Sequence, residues 1–259
     1  MKKTGIRVSF AILLTVFCMF SYAQKDIFEI KAFRFNSDSQ MTATDTYLRD
    51  SYLPTLHHLG FKNIGVFKPL ANDTAAVKMI YVITSYKSLD VWRKTKLSIE
   101  SNLVNENASK AFTDADTSNL AYQRIQSTIL EAFPDQEKLI PSPVKTNPDA
   151  VYEMRSYESP TDELHRIKVD MFNAGGEIKI FKSLDCNAVF YGEVLSGPRM
   201  PNFIYMLSFT SVGEQKAHWK AFGENKTWKK ISTDPKYRND ISVSHIESIT
   251  MRRTAYSDL

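Results

Sequence analysis

Cysteine is nearly absent. Cys18 and Cys186 are the two in 259 residues, and Cys18 lies in an N-terminal stretch that reads as a removable leader. Cys186 alone excludes an intramolecular disulfide, a cysteine-based metal site and a redox pair. An isolated cysteine beside a strand is usually a small buried apolar residue, and no base lies near it in sequence to activate it. Also missing are a Gly-rich phosphate loop, an HExxH zinc motif and a recognisable Ser/His/Asp order. His57, His58 and His165 lack partners at metal spacing, which assigns them to solvent or to helix caps. No metal and no cofactor is expected.

A one-signed charge excess is lacking too. Removing Lys2, Lys3 and Arg7 from the 33 basic residues leaves 30 against 29 acidic ones. A nearly neutral chain without a clustered positive patch does not suit nucleic acid or an anionic membrane surface. The apolar run Val8 to Phe20 falls short of the ~20 residues of a membrane-spanning helix. The basic start, this run and the small residues Ser21 and Ala23 follow the order of a secretory signal. The expectation is a signal peptide over 1–23, a mature start at Gln24, and an exported protein, periplasmic or secreted, without stable membrane insertion after cleavage.

What remains is a repeat. Phe28-Glu29-Ile30-Lys31 reappears as Tyr152-Glu153-Met154-Arg155, and Tyr81 to Ser85 resembles Tyr205 to Phe209, both 124 residues on. Such self-similarity reads as duplication of one unit. Ile27 to Phe35 alternates apolar and charged residues like a half-buried strand, and Leu48, Tyr52, Leu56 and Leu59 form a helical stripe over 44–59. Strands over 62–68 and 77–86, a helix over 89–102 capped by Ser88, and a strand over 122–133 complete the first half. In the second, strands over 151–157, 188–195, 203–209 and 241–252 alternate with a helix capped by Thr161 and helical pieces over 215–222 and 227–231. Gly175-Gly176 calls for a kink, a turn or a close backbone approach. Four prolines between 134 and 148 mark a linker.

The fold class is therefore α+β, with two tandem ferredoxin-like βαββαβ units over 24–134 and 150–259, separated by the linker 135–149. Helices cover one face of each antiparallel sheet. The two sheets would pack face to face, giving a pseudo-symmetric dimer within one chain. Alternation puts Phe28, Ile30, Tyr152 and Met154 against the helices, with Glu29, Lys31, Glu153 and Arg155 inward or at the seam.

Met171-Phe172-Asn173, Gly175 to Ile178, Val189 to Leu195, Arg199-Met200-Pro201-Asn202, His218 to Phe222 and Thr254 to Ser257 occur in an order that resembles the NIPSNAP family over about 150–257. The resemblance implies the dimeric α/β-barrel superfamily and no particular reaction. The dense motifs of the second half direct the search for a site there. Tyr191 and Glu193 share a strand face, as do His245 and Glu247, while Arg199 follows a turn. His218 and Trp219 stand beside Phe222 and Trp228, although aromatic residues at that helical spacing also suit a core. The candidate ligand-binding set is Tyr191, Glu193, Arg199, His218, Trp219 and His245. It predicts a small molecule bound in a pocket of the second half. The alternatives are a cofactor-light enzyme resembling a monooxygenase or isomerase, and a protein–protein interaction module of the cell envelope. A homo-oligomer is compatible with all three.

Overall fold

Eight strands form the frame: β1 (Ile27–Phe35), β2 (Gly65–Pro69), β3 (Lys78–Tyr86), β4 (Arg124–Ala132), β5 (Val151–Glu158), β6 (Asn187–Ser196), β7 (Asn202–Phe209) and β8 (His245–Arg253). The computed structural model describes residues 24–259, so the signal expected over 1–23 lies outside the described residues. Every strand pairing is antiparallel, and the order β1-β3-β2-β8-β5-β7-β6-β4 closes on itself. The sheets of the two halves are thus not merely stacked but joined edge to edge, through β2–β8 and β4–β6. Closure gives partners to edge N–H and C=O groups that two open sheets would leave bare.

The helices lie outside. In the first half α1 (Asp38–Tyr47) runs through one π-type segment, Leu48–Tyr52, into α2 (Leu53–His58), and α3 (Leu89–Ser98) and α4 (Glu106–Thr113) follow. The first of these begins earlier than its apolar stripe suggests, because Ser37 Oγ caps the polar turn by accepting from Gln40 N–H. The second half carries α5 (Asp162–Phe172), α6 (Glu177–Ser183), α7 (Val212–Glu224) and α8 (Lys226–Ser232). Thr161 and Ser88 cap α5 and α3 as their positions predict.

Between α5 and α6, Gly176 adopts φ +91°, and a Cβ on Gly175 would lie 2.4 Å from the Met171 carbonyl oxygen. Gly175→Ala is therefore expected to cost about 1–3 kcal/mol by forcing backbone apart, read as a lowered midpoint in urea unfolding. An unchanged midpoint would show that the turn relaxes freely.

The direction of the strand faces reverses the expected one. Phe28, Ile30, Tyr152 and Met154 point into the barrel, where they pack with Phe67, Phe190, Met206 and Met251. The charged partners Glu29, Lys31, Glu153 and Arg155 lie on the outer face beneath the helices, as contacts of Lys31 with Tyr52 and of Glu153 with Gln215 show. Alternation separates two faces but does not say which meets the helices, and closure of the barrel gave the interior to the aromatic set. The repeat offset also shifts. Ile30 pairs with Ile83 and Met154 with Met206, so β3 and β7 correspond at 123 residues rather than 124. Tyr205 therefore corresponds to Val82, and Tyr81 falls on the opposite face.

The proline-rich linker is not a free spacer. Asp26 N–H bonds to the Glu137 carbonyl, Ile140 N–H to the Val189 carbonyl, and Ser142 Oγ to Ser208 Oγ at 2.8 Å. Leu139 and Ala150 join Leu259 against the interior cluster, at the end of the barrel where β1 begins.

Candidate functional site

A polar trio occurs in both halves. Glu29 and Glu153, 2 % and 3 % exposed, sit at equivalent positions of β1 and β5, each beside the basic residue two positions on. Glu29 lies 3.7 Å from Lys31 and accepts from Ser127 Oγ and Tyr86 Oη. Glu153 lies 3.5 Å from Arg155 and accepts from Ser248 Oγ, Gln215 Nε2 and Trp219 Nε1. Ser127 faces Lys31 across β1–β4, and Ser248 faces Arg155 across β5–β8. A pattern kept in both halves suits a shared structural role.

A second charged group occurs in one half alone. Lys168 on α5 and Glu177 at the start of α6 are both nearly inaccessible, with Nζ 3.3 Å from Oε2. The Lys168 ammonium also donates to Asn239 Oδ1 at 3.0 Å and stands 5.3–5.8 Å from the ring centres of Phe172, Trp228 and Tyr157. At the 124-residue offset of the helix caps, the first half has Thr44 and Leu53 in their places, both buried and uncharged. Burial pushes the Glu177 carboxyl up, opposed by the nearby Lys168 charge. Burial likewise raises the Tyr157 and Tyr205 hydroxyls, which lie 3.3 Å apart.

Tyr157, Lys168 and Glu177 border a cleft of about 520 Å³ between α5, α6, α7, α8 and the sheet. They form its inner wall, Phe222 and Trp228 an aromatic side, and Asn239 and His245 its rim. Phe222 stacks on Phe181 and lies tilted against Trp228, with centroids 4.7 and 4.6 Å apart, and Trp219 meets Phe222 edge-on. The walls thus offer flat apolar surfaces and one charged, hydrogen-bonding floor, the mixture typical of small-molecule sites.

The six residues singled out from sequence are not gathered in one pocket. His245 lines this cleft, and Trp219 lies behind its aromatic side. Tyr191 is buried in the outer aromatic core against Tyr205 and Phe181, and it borders a separate depression near the linker. Glu193 pairs with His165 at 3.1 Å, which holds its carboxyl below the usual range. His165 is thereby buried rather than at solvent or a cap. Arg199 lies at the barrel mouth, bonded to Glu247 and 3.5 Å from Glu158. His218 Nδ1 approaches Cys186 Sγ at 3.5 Å, a base that the linear order did not reveal. Burial nonetheless pushes that thiol up to about 12, which leaves it protonated and a poor nucleophile. Lys168 and Glu177 escaped sequence reading because a lysine on an amphipathic helix normally faces water. The one signal was Lys168 standing within the apolar stripe that runs from Leu164 to Met171.

Residues 152–258 match the NIPSNAP family model. Among solved structures, a proposed monooxygenase from Lactobacillus acidophilus NCFM is similar with a TM-score of 0.57 and 12 % identity, covering 88 % of this chain and 94 % of that one. A proposed monooxygenase from Fusobacterium nucleatum gives 0.55 and 12 %, covering 89 % and 93 %. An anthrone oxidase-like protein gives 0.51 and 10 %, covering 90 % and 92 %. At such identities the likeness establishes a shared α/β-barrel fold and no activity. Comparison with curated proteins returns no match. The second half of the chain, which matches the NIPSNAP family model over residues 152–258, supplies half the strands of a closed eight-stranded barrel.

Proposed function

We propose that this protein binds a small ring-containing molecule in the cleft between helices and sheet of its second half. The observation that carries the reading is the buried Lys168–Glu177 pair at the cleft floor, which has no charged counterpart in the first half. A buried ion pair seldom adds net stability over an apolar replacement, so its presence in one copy favours a role in recognition. Phe222 and Trp228 would take the ring, and the polar edge of the ligand would meet the Lys168 and Glu177 end. On this view the halves are diverged copies of one ferredoxin-like βαββαβ unit, supported by their matching strand orders β4-β1-β3-β2 and β8-β5-β7-β6. The first copy completes the barrel and the second recognises the ligand. The protein would act outside the cytoplasm, which the charge and apolar order of residues 1–23 supports.

Non-denaturing mass spectrometry of the protein purified from its own host tests the reading. The expected result is an added mass on the unaltered protein that disappears in Trp228→Ala and persists in Arg199→Ala, whose site is the barrel mouth. Bare protein in the unaltered sample, or a mass indifferent to Trp228→Ala, would remove the support. A second reading, a proton-moving enzyme of monooxygenase or isomerase type, is favoured by the raised Glu177 carboxyl. It differs in requiring that the bound compound be converted, with a rate that falls in Glu177→Gln while the added mass remains.

A further inference from the structure

The barrel has a second cavity on its inner side, distinct from the cleft under the helices. It measures about 330 Å³ and lies toward the end of β1 and β5, away from the linker and Leu259. Ile30, Met154, Ile204 and Ile249 make its apolar walls, and Arg199 with Glu247 stands at its rim. At the rim Arg199 bonds to Glu247 and faces Glu158 at 3.5 Å, and Arg34 also lines the cavity. Deeper, Asn202 is 2 % exposed and donates through Nδ2 to Ser156 Oγ at 3.0 Å. Its Oδ1 is buried without a partner among the described residues. A buried acceptor left unpaired is costly, and polar atoms placed so are normally satisfied by something.

We infer that the interior of the barrel binds a small neutral alcohol, with its hydroxyl against Asn202 and Ser156 and its hydrocarbon body among Ile30, Met154, Ile204 and Ile249. The hydroxyl hydrogen satisfies Asn202 Oδ1. The Ser156 hydroxyl, whose oxygen already accepts from Asn202, keeps its own hydrogen free to donate to the ligand oxygen. The apolar wall and the Glu247 carboxylate favour a neutral ligand, since a bare carboxylate would lose its hydration there and could recover a charge partner only at Arg34, the exposed cation that also lines the cavity. The volume corresponds to roughly ten liquid waters, or a ligand of about ten non-hydrogen atoms.

Titration of ¹⁵N-labelled protein with 1-octanol, and separately with 1-methoxyheptane and octanoate, tests this. The ether has the same length but no hydrogen to give Asn202. The expected result is saturable amide shifts on the late residues of β1 and β5, with the alcohol at least about tenfold tighter than the ether and tighter than octanoate. Asn202→Leu should erase the preference over the ether. Should that variant not fold, the ether comparison in the unaltered protein still decides. Ile249→Trp, which fills the cavity, should abolish the shifts, and Trp228→Ala in the outer cleft should leave them unchanged. Absence of saturable shifts, equal affinity for alcohol and ether, or shifts that survive Ile249→Trp would overturn the assignment.

Discussion

Replacing Lys168 with methionine is expected to cost about 3–5 kcal/mol of stability at neutral pH, read as a lowered midpoint in urea unfolding. The substitution removes one member of a pair whose side chains are each 2 % exposed and leaves the Glu177 carboxylate buried without its cation. The loss should depend on pH in a definite direction. Glu177 already has its carboxyl raised by burial, and Lys168 is the main opposing influence. Without the lysine the folded-state value rises further. A carboxyl whose folded value exceeds its unfolded one contributes stability below the unfolded value and loses it as pH rises through the folded one. The deficit of the variant should therefore shrink on acidification, as Glu177 takes up a proton, and be full at neutral pH. Lys168→Met with Glu177→Leu should recover most of the loss, because an apolar pair pays no desolvation. A deficit that is flat from neutral to acid pH would show that Glu177 does not titrate with the pair. Full recovery in the double variant, together with loss of the mass bound by the unaltered protein, would separate a recognition role from a structural one.

The α+β class, the strand order along the chain and the helix caps at Ser88 and Thr161 were open to sequence reading, because periodicity and capping are local. The direction of the faces was not. In β1 the alternation of Phe28, Ile30 and Ala32 with Glu29 and Lys31 is unambiguous, yet both sets are inaccessible or nearly so. The side that meets the helices follows from closure of the barrel, which is a property of all eight strands together. The shift of the repeat from 124 to 123 residues at β3 and β7 has a similar origin. Residue types at Tyr81 and Tyr205 agree, but strand pairing places them on opposite faces. For the candidate site, His245 and the neighbourhood of Trp219 were legible as aromatic and titratable groups in the dense half. Lys168 and Glu177 were not, since burial of a charge depends on partners such as Asn239, which lies 71 residues from Lys168 in sequence.

Loss of Glu153 should cost as much as loss of Lys168 while affecting recognition differently. Glu153→Leu is expected to destabilise by about 3–5 kcal/mol, because it leaves Arg155 and three donors, Trp219 Nε1, Gln215 Nε2 and Ser248 Oγ, without their shared acceptor. Glu29→Leu should cost a comparable but smaller amount, since Lys31 keeps its 2.7 Å bond to Tyr52 Oη. Glu153→Gln should fall between, as the amide oxygen still accepts while its NH₂ faces donors. Urea unfolding of the three variants measures the order, and non-denaturing mass spectrometry of the folded fraction reads recognition beside it. If the trio is the scaffold that both halves share, Glu29→Leu and Glu153→Leu lower stability in parallel, and the mass bound by the unaltered protein is retained in the folded fraction of each. If Glu153→Leu alone removes that mass, Glu153 belongs to recognition, and the repeated trio has been recruited by the cleft through Trp219 and Phe222. The first outcome confines the divergence of the two halves to Lys168, Glu177 and the aromatic side, the residues that the first half replaces with uncharged ones or lacks.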